Sequence, residues 1–463
     1  MPGVRGVLGL AAMTGRAGPG RPFVGRQRRR NGSARGVLRT VRRMNDNGPL
    51  VTEPRSASGP GTSPSRSAAG SAPHGGHAAP AAVAAPSPPV ATAVRPTVTE
   101  VRLSAFRTHR SAVFRLAPLT LIAGASGSGK TSVLQAYEAL GGLAGGAPLG
   151  EVFADPESCV PEWAEADAQG RRGFRIGCTV DGPAGAVRLD VAVQAEPRLR
   201  IVGERLTCGG RVLLRTALRD PERSAVQAEW LTAGSVPVTR APLPDDRLGT
   251  ALLPLRVAGK TEGQLLVLAA AEQAVVALRS VFACDPRPWG MRRPVAADDG
   301  RLRRNCENLA GVLHRTRDQC ARRYARLTAA ARAGCRGEVA GLAVEQLPDG
   351  MLRALLDRGP GRAATPVERL GEGELRFLAL ALVLLTGPGV LAVDRAAEIP
   401  DAYQSLTVLA DGFDRALDAG QARELVSLAA ETAARGHVRL VGAVCDASFA
   451  RGVEGVSVVD LVP

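Results

Sequence analysis

Lysine is almost missing from this 463-residue chain: only Lys130 and Lys260 stand among its 59 basic residues, the rest being arginine. Where arginine is the default cation, a surviving lysine marks a place that needs a compact ammonium. Aromatic residues are 3% of the sequence, too few for the stacking platforms that grip single-stranded nucleic acid. The 8 cysteines are scattered without a C-x-x-C pair, so they read as reduced, mostly buried thiols of a cytoplasmic protein. His74 and His77 lie in a Pro/Ala/Gly-rich stretch with no further ligand nearby, which argues against a zinc site there. Long apolar runs are also lacking. Gly6–Met13 is short, and Arg16 and Arg21 follow where a signal cleavage site should be. Leu375–Val393 contains Arg376 and Gly387-Pro388-Gly389 and reads as a buried helix followed by a buried strand. No membrane span is expected.

The formal net charge of +15 belongs to one end of the chain. Residues 1–43 hold eleven arginines and no acid, and 44–96 add +1, so 97–463 carries only +3. Residues 1–96 are basic, then Pro/Ser/Ala/Gly-rich, without periodicity, and are expected to be a disordered tail. Met44 is an alternative start to Met1.

Order is expected from 97 to 463, as one α/β domain. A first part, 97–150, reads strand, glycine-rich turn, helix: Leu116–Ala123 is apolar and Ser132–Leu140 has helical spacing. A lobe over 151–300 alternates in short segments (173–180, 186–194, 198–206, 211–217 and 226–232), the pattern of an antiparallel meander. It ends in an amphipathic helix over 262–282. Residues 301–336 hold ten arginines against Glu307 and Asp318 and read as a long helix or short helical arm. Their local +8 leaves the rest of the domain at −5, so the arm either pairs with acids of its own domain or meets nucleic acid or an acidic protein. The last part, 337–463, contains a hairpin around Pro348-Asp349-Gly350, a helix over Glu372–Leu385 and a buried strand over Val390–Asp394. Helices at 402–418 and 421–435 and strands at 438–444 and 456–461 complete it.

Gly124-Ala125-Ser126-Gly127-Ser128-Gly129-Lys130-Thr131 fits G-x-x-x-x-G-K-[ST] at every fixed position, after an apolar strand and before a helix. Glycines let successive amides curl around phosphate oxygens, and the helix N-terminus adds partial positive charge. Lys130 is placed to bridge β- and γ-phosphates, and the Thr131 hydroxyl to ligate Mg²⁺ beside ATP. Val390–Val393 ending in Asp394 is the expected partner, a buried strand whose carboxylate holds Mg²⁺ through water.

With Leu370-Gly371-Glu372-Gly373-Glu374 opening an apolar helix, the chain resembles ABC-type P-loop ATPases of the SMC/RecF branch, including bacterial predicted ATPases of that kind. The resemblance covers 97–463 and takes in Asp285-Pro286 to Met291-Arg292 and Asn305–Leu313. It implies a head with a mixed sheet around the P-loop, an antiparallel β lobe and a short helical arm. It also implies a nucleotide-dependent homodimer, in which Gly371, Glu372, Gly373 and Glu374 reach the γ-phosphate held by the other copy. The 241 residues from Lys130 to Gly371 suit inserted lobes better than a compact transporter subunit.

The departures from that family bear on activity. Gly371 stands where the family has serine. Arg395 follows Asp394, where the family has the glutamate that activates water, and Glu398 is the nearest substitute. Asp446 stands in place of a switch histidine, and Gln169 has a plausible spacing for the family's glutamine loop. The reading is therefore an ATP-binding, dimerising switch with slow or absent hydrolysis. Two rivals stay open: an active ATPase in DNA maintenance or defence, with Glu398 or a partner supplying the base, and a nucleic-acid-binding module in which ATP is structural.

Overall fold

The computed structural model describes residues 94–461, apart from 298–299, 388, 394–398 and 401–402. The tail expected over 1–96, with both candidate starts, His74 and His77, lies outside these residues except for its last three.

Strands β1 (Thr97–Phe106) and β2 (His109–Arg115) form a hairpin, and β3 (Leu119–Gly124) runs through a glycine loop into helix α1 (Lys130–Ala144). The one-turn helix α2 (Leu149–Val152) follows. Then come β4 (Arg172–Asp181), β5 (Val187–Glu196), β6 (Arg200–Cys208), β7 (Arg211–Ala217), β8 (Ala225–Leu231) and β9 (Val238–Pro244). After α3 (Gly249–Leu252), helix α4 (Glu262–Arg279) leads into β10 (Val281–Cys284) and α5 (Pro288–Met291). Helices α6 (Leu309–Gln319) and α7 (Ala321–Gly334) precede β11 (Gly341–Gln346), β12 (Leu352–Asp357) and β13 (Thr365–Pro366). The chain ends with α8 (Glu372–Leu385), β14 (Leu406–Ala410), α9 (Ala419–Ala434), β15 (Val438–Val444) and β16 (Val456–Leu461).

Two large sheets share the core. One is antiparallel throughout, in the order β2-β1-β4-β5-β6-β7-β8-β9; the other is parallel throughout, in the order β10-β14-β15-β3-β16. The sheet around the glycine loop is thus parallel rather than mixed. Its strands are buried on both faces, which is why they read as continuous apolar runs. Ile122, Leu409 and Ala443 join α1, α4 and the antiparallel sheet in one core, whereas Leu121, Val408 and Leu440 join α7, α8 and α9 in the other. In α8 every residue from Leu375 to Leu384 is buried, Arg376 being the one charged residue among them, as expected of a helix enclosed inside a protein. Among the described residues no helix is long and apolar enough to cross a membrane.

Several expectations change. Residues 402–418 were expected to be helical; instead Leu406–Ala410 is a central strand, because a short run of four apolar residues and Thr407, closed by Asp411-Gly412, suits a two-face-buried strand, and Gly412 turns with φ 58. The strand expected over 390–394 joins neither large sheet within its described residues: Leu391 makes an isolated bridge to Leu302. The Arg-rich stretch is two helices, broken at an extended Cys320 (φ −150, ψ 81). They lie against the body: a Cβ on Gly334 of α7 would stand 2.2 Å from the Phe377 ring of α8. Several of its arginines find acceptors on the body. Arg304 pairs with Glu138, Arg326 meets Glu431 at 2.9 Å, and Arg323 donates to the Leu385 carbonyl at the end of α8.

Candidate functional site

The loop between β3 and α1 sits at the C-terminal edge of the parallel sheet, where open α/β sheets place ligands. Register sets its neighbours: Ala123 lies level with Val444 of β15 and Asp460 of β16. Gly124, Gly127 and Gly129 have φ of 156, 84 and 95, values that a side chain rarely tolerates. At Gly129 the requirement is also spatial, because a Cβ would lie 2.4 Å from His109 Nε2 and 2.6 Å from Thr108 Oγ1. His109 Nε2 is 3.1 Å from the Gly129 carbonyl oxygen, and its ring meets Phe114 edge-on at 5.4 Å. The β1–β2 turn therefore rests on the last glycine of the loop. Ala105 near the end of β1 and Arg107 in that turn are themselves left-handed, with φ 49 and 52.

Gly129 caps α1 without a side-chain acceptor, and the first turn holds no acidic residue. Lys130 opens the helix and donates from Nζ to the carbonyls of Gly124 (2.6 Å) and Ala125 (2.7 Å). Ser128 Oγ is buried without a partner among the described residues. Thr131 donates to the carboxylate of Asp411, at 3.1 Å from each oxygen.

Asp411 is the carboxylate that meets Thr131, where Asp394 was expected. Asp394, Arg395 and Glu398 lie outside the described residues, and the strand next to β15 that ends in a carboxylate beside Thr131 is β14. The signal was present: Leu406–Ala410 ends in Asp411, and a helix and then β15 follow, a strand–helix–strand unit. The residue after Asp411 is Gly412, which has no side chain to act as a base. Asp414 is committed elsewhere, accepting from the Cys445 amide at 2.8 Å. Asp446, just past β15, accepts from the amide (2.9 Å) and hydroxyl (2.5 Å) of Ser448, which hold its carboxyl below the usual range.

Gly371, Glu372, Gly373 and Glu374 form the start of α8. Glu374 turns back, accepting from the amides of Gly371 (3.0 Å) and Arg336 (2.9 Å). A Cβ on Gly373 would stand 2.3 Å from the Ala416 carbonyl oxygen, so this glycine allows α8 to meet the turn that follows Asp411. Three residues further along α8, Arg376 is 3% exposed. It donates to the carbonyls of Gly412 (2.8 Å) and Pro286 (2.6 Å), with Asp285 at 3.8 Å. Burial pulls its guanidinium below the ordinary arginine range, with neighbouring Arg415 adding to the effect. Gln169 is in an exposed turn, its carboxamide oxygen accepting from Arg171 at 3.0 Å.

Among the described residues no cluster of three or more His, Cys, Asp or Glu side chains could hold a metal ion by itself. The pair Thr131–Asp411 supplies hard oxygen donors only, which fits a cation completed by phosphate oxygens and water, as Mg²⁺ is.

No protein-family profile matches the chain, and no curated protein does. Solved structures that are similar include an SMC head bound to the C-terminal winged-helix domain of ScpA, at 13% identity and TM-score 0.43, covering 76% of this chain and 91% of the other. An Smc head with an extended coiled coil, bound to the C-terminal domain of ScpA from Pyrococcus furiosus, is 11% identical at TM-score 0.40, covering 76% and 90%. The SMC head domain from Thermotoga maritima is 13% identical at TM-score 0.35, covering 77% and 92%.

Proposed function

We propose that residues 124–131 and Asp411 bind a nucleoside triphosphate with Mg²⁺, and that binding pairs two copies of the chain while hydrolysis stays slow. The observation that carries this reading is the Thr131–Asp411 contact at 3.1 Å, which brings a strand-end carboxylate to the end of a left-handed glycine loop. In this reading the loop amides and the start of α1 hold the phosphates. Lys130 exchanges its two carbonyl acceptors for β- and γ-phosphate oxygens. Thr131 and Asp411 would hold Mg²⁺. When bound, Mg²⁺ neutralises phosphate charge and fixes the geometry of the γ-phosphate.

Gly412 deprives the site of a neighbouring base, and a missing general base typically costs about 10²–10⁴-fold in rate. Gly371 and Glu372 are exposed at the start of α8, so a second copy can reach them. Gly373 and Arg376 tie that loop to the turn after Asp411. Nucleotide then acts by differential affinity for single and paired states. Light scattering on the full chain with Mg·ATP tests this: a shift from one copy to two, lost in Lys130→Ala, supports the reading. A mass unchanged by nucleotide sinks the pairing.

A second reading concerns an anionic partner. The Arg-rich helices are engaged with the body, but the outer face of the antiparallel sheet carries Arg102, Arg175, Arg188, Arg205 and Arg215 around a floor of Gly177, Ala192 and Gly203, a cavity of about 510 Å³. Asp190 and Glu229 neutralise some of these, whereas Arg175 and Arg205 have no ion pair among the described residues. We place a nucleic-acid phosphate backbone there. The test is binding of a DNA duplex across a salt series. The reading requires a steep loss of affinity with salt, and a shallower slope in Arg175→Ser/Arg205→Ser. Equal slopes would remove it.

A further inference from the structure

At the N-terminal edge of the parallel sheet, away from the glycine loop, lies a cavity of about 440 Å³. Val438, the first residue of β15, is in its wall. Val444, level with Ala123 before the glycine loop, is six residues further on, about 20 Å along the strand. Arg95, Arg323, Arg326, Arg435 and His437 line the cavity, together with the apolar side chains of Leu384 and Val438.

Part of that charge has a structural task. Helix α8 ends at Leu385 and α9 at Ala434, and a helix C-terminus carries about half a unit of negative charge. Arg323 Nε donates to the Leu385 carbonyl at 3.1 Å, and Arg95 Nη1 to the Gly436 carbonyl at 2.9 Å. Such bonds fix a guanidinium in place without discharging it. Arg326 pairs with Glu431 at 2.9 Å, whereas Arg323 and Arg435 have no ion pair among the described residues. Glu431 and the two helix ends together offset about two of the three charges on Arg323, Arg326 and Arg435. A positive surplus remains before Arg95 and His437 are counted.

We propose that this cavity binds a phosphate monoester of a small organic molecule, at a site separate from the glycine loop and independent of the nucleotide reading. A phosphate monoester carries close to two negative charges at neutral pH, and arginine meets phosphate oxygens with parallel N–H donors. Arg435 is exposed and presents its whole fork. Arg323 has committed its Nε and keeps its Nη donors, held in one place by the Leu385 carbonyl. Leu384 and Val438 offer apolar surface that a bare phosphate ion does not use, so the ligand has an organic body. The volume is that of a small-molecule pocket.

The test titrates phenyl phosphate and inorganic phosphate, without Mg²⁺, into the full chain and follows the heat of binding. Wild type should bind phenyl phosphate saturably and about tenfold more tightly than phosphate, the difference coming from the buried ring. Lys130→Ala should bind it as wild type does, because the glycine loop takes no part. Arg435→Ser should weaken binding about tenfold, and Arg323→Ser, which also releases the Leu385 carbonyl, at least as much. Arg435→Ser should melt with wild type, so its loss of binding is not a loss of fold. Arg322→Ser, on α7 but outside the cavity, should change nothing. Absence of saturation with phenyl phosphate, an affinity unchanged in both Arg435→Ser and Arg323→Ser, or binding lost in Lys130→Ala overturns the proposal. Equal affinity for the two probes overturns the organic body and assigns the site to inorganic phosphate.

Discussion

Gly129 joins three demands at one Cα: a left-handed φ, a carbonyl held by His109, and no room for a Cβ. Gly129→Ala should cost about 1–3 kcal/mol in urea unfolding, and should lose nucleotide affinity beyond that, because the β1–β2 turn must move. Unchanged stability would mean the turn yields without strain. At this scale the glycine–lysine loop was legible as a turn between a strand and a helix, because its glycines fall where φ is positive. The contact between Thr131 and Asp411 was not. Val390–Asp394 was expected to be the strand and 402–418 a helix, and only pairing with β15 and β10 distinguishes a central strand from a segment with a single bridge.

Elements differ in how plainly the sequence announces them. Strands β4 to β8 alternate and are punctuated by turns, and α8 is apolar from Phe377 to Leu385, so both were readable. Strand β9 was missed because Pro242 and Pro244 argue against a strand; it lies at the edge of its sheet, where prolines leave no inner ladder bond unmade. The arginines divide in the same way, by environment. Arg376 is buried between carbonyls of two segments, so Arg376→Leu should cost about 3–5 kcal/mol and loosen the turn after Asp411. Arg326→Ala removes a pair whose Glu431 is 63% exposed and should stay within about 1 kcal/mol. Thermal melts of both variants side by side check this, and similar losses would contradict it. Another buried acid adds a third case. Glu204 is 3% exposed and accepts from the amides of Gly249 (2.6 Å) and Thr250 (2.7 Å). Glu204→Gln presents an amide donor to those donors and should cost about 1–3 kcal/mol.

Across the molecule, the two sheets and the helices between them follow from two kinds of apolar pattern. Alternating segments build the antiparallel sheet, and continuous runs build the parallel one. What the pattern does not carry is the partnership between distant segments. Thr131 and Asp411 are 280 residues apart, and Arg304 reaches back to Glu138 on α1. Charge divides in the same way: of the ten arginines in 301–336 several are spent on helix ends and nearby acids, the first of the two alternatives that the local +8 left open, while Arg317 and Arg322 stay exposed.

The central claim is that the glycine loop and Asp411 together hold Mg·nucleotide. Calorimetric titration of Mg·ATP into the full chain, beside Lys130→Ala and Asp411→Asn, tests it most directly. The account predicts binding by wild type, none measurable in Lys130→Ala, and a weakened, less Mg²⁺-dependent affinity in Asp411→Asn. Wild-type affinity in Asp411→Asn at every Mg²⁺ concentration, or in Lys130→Ala, would contradict it.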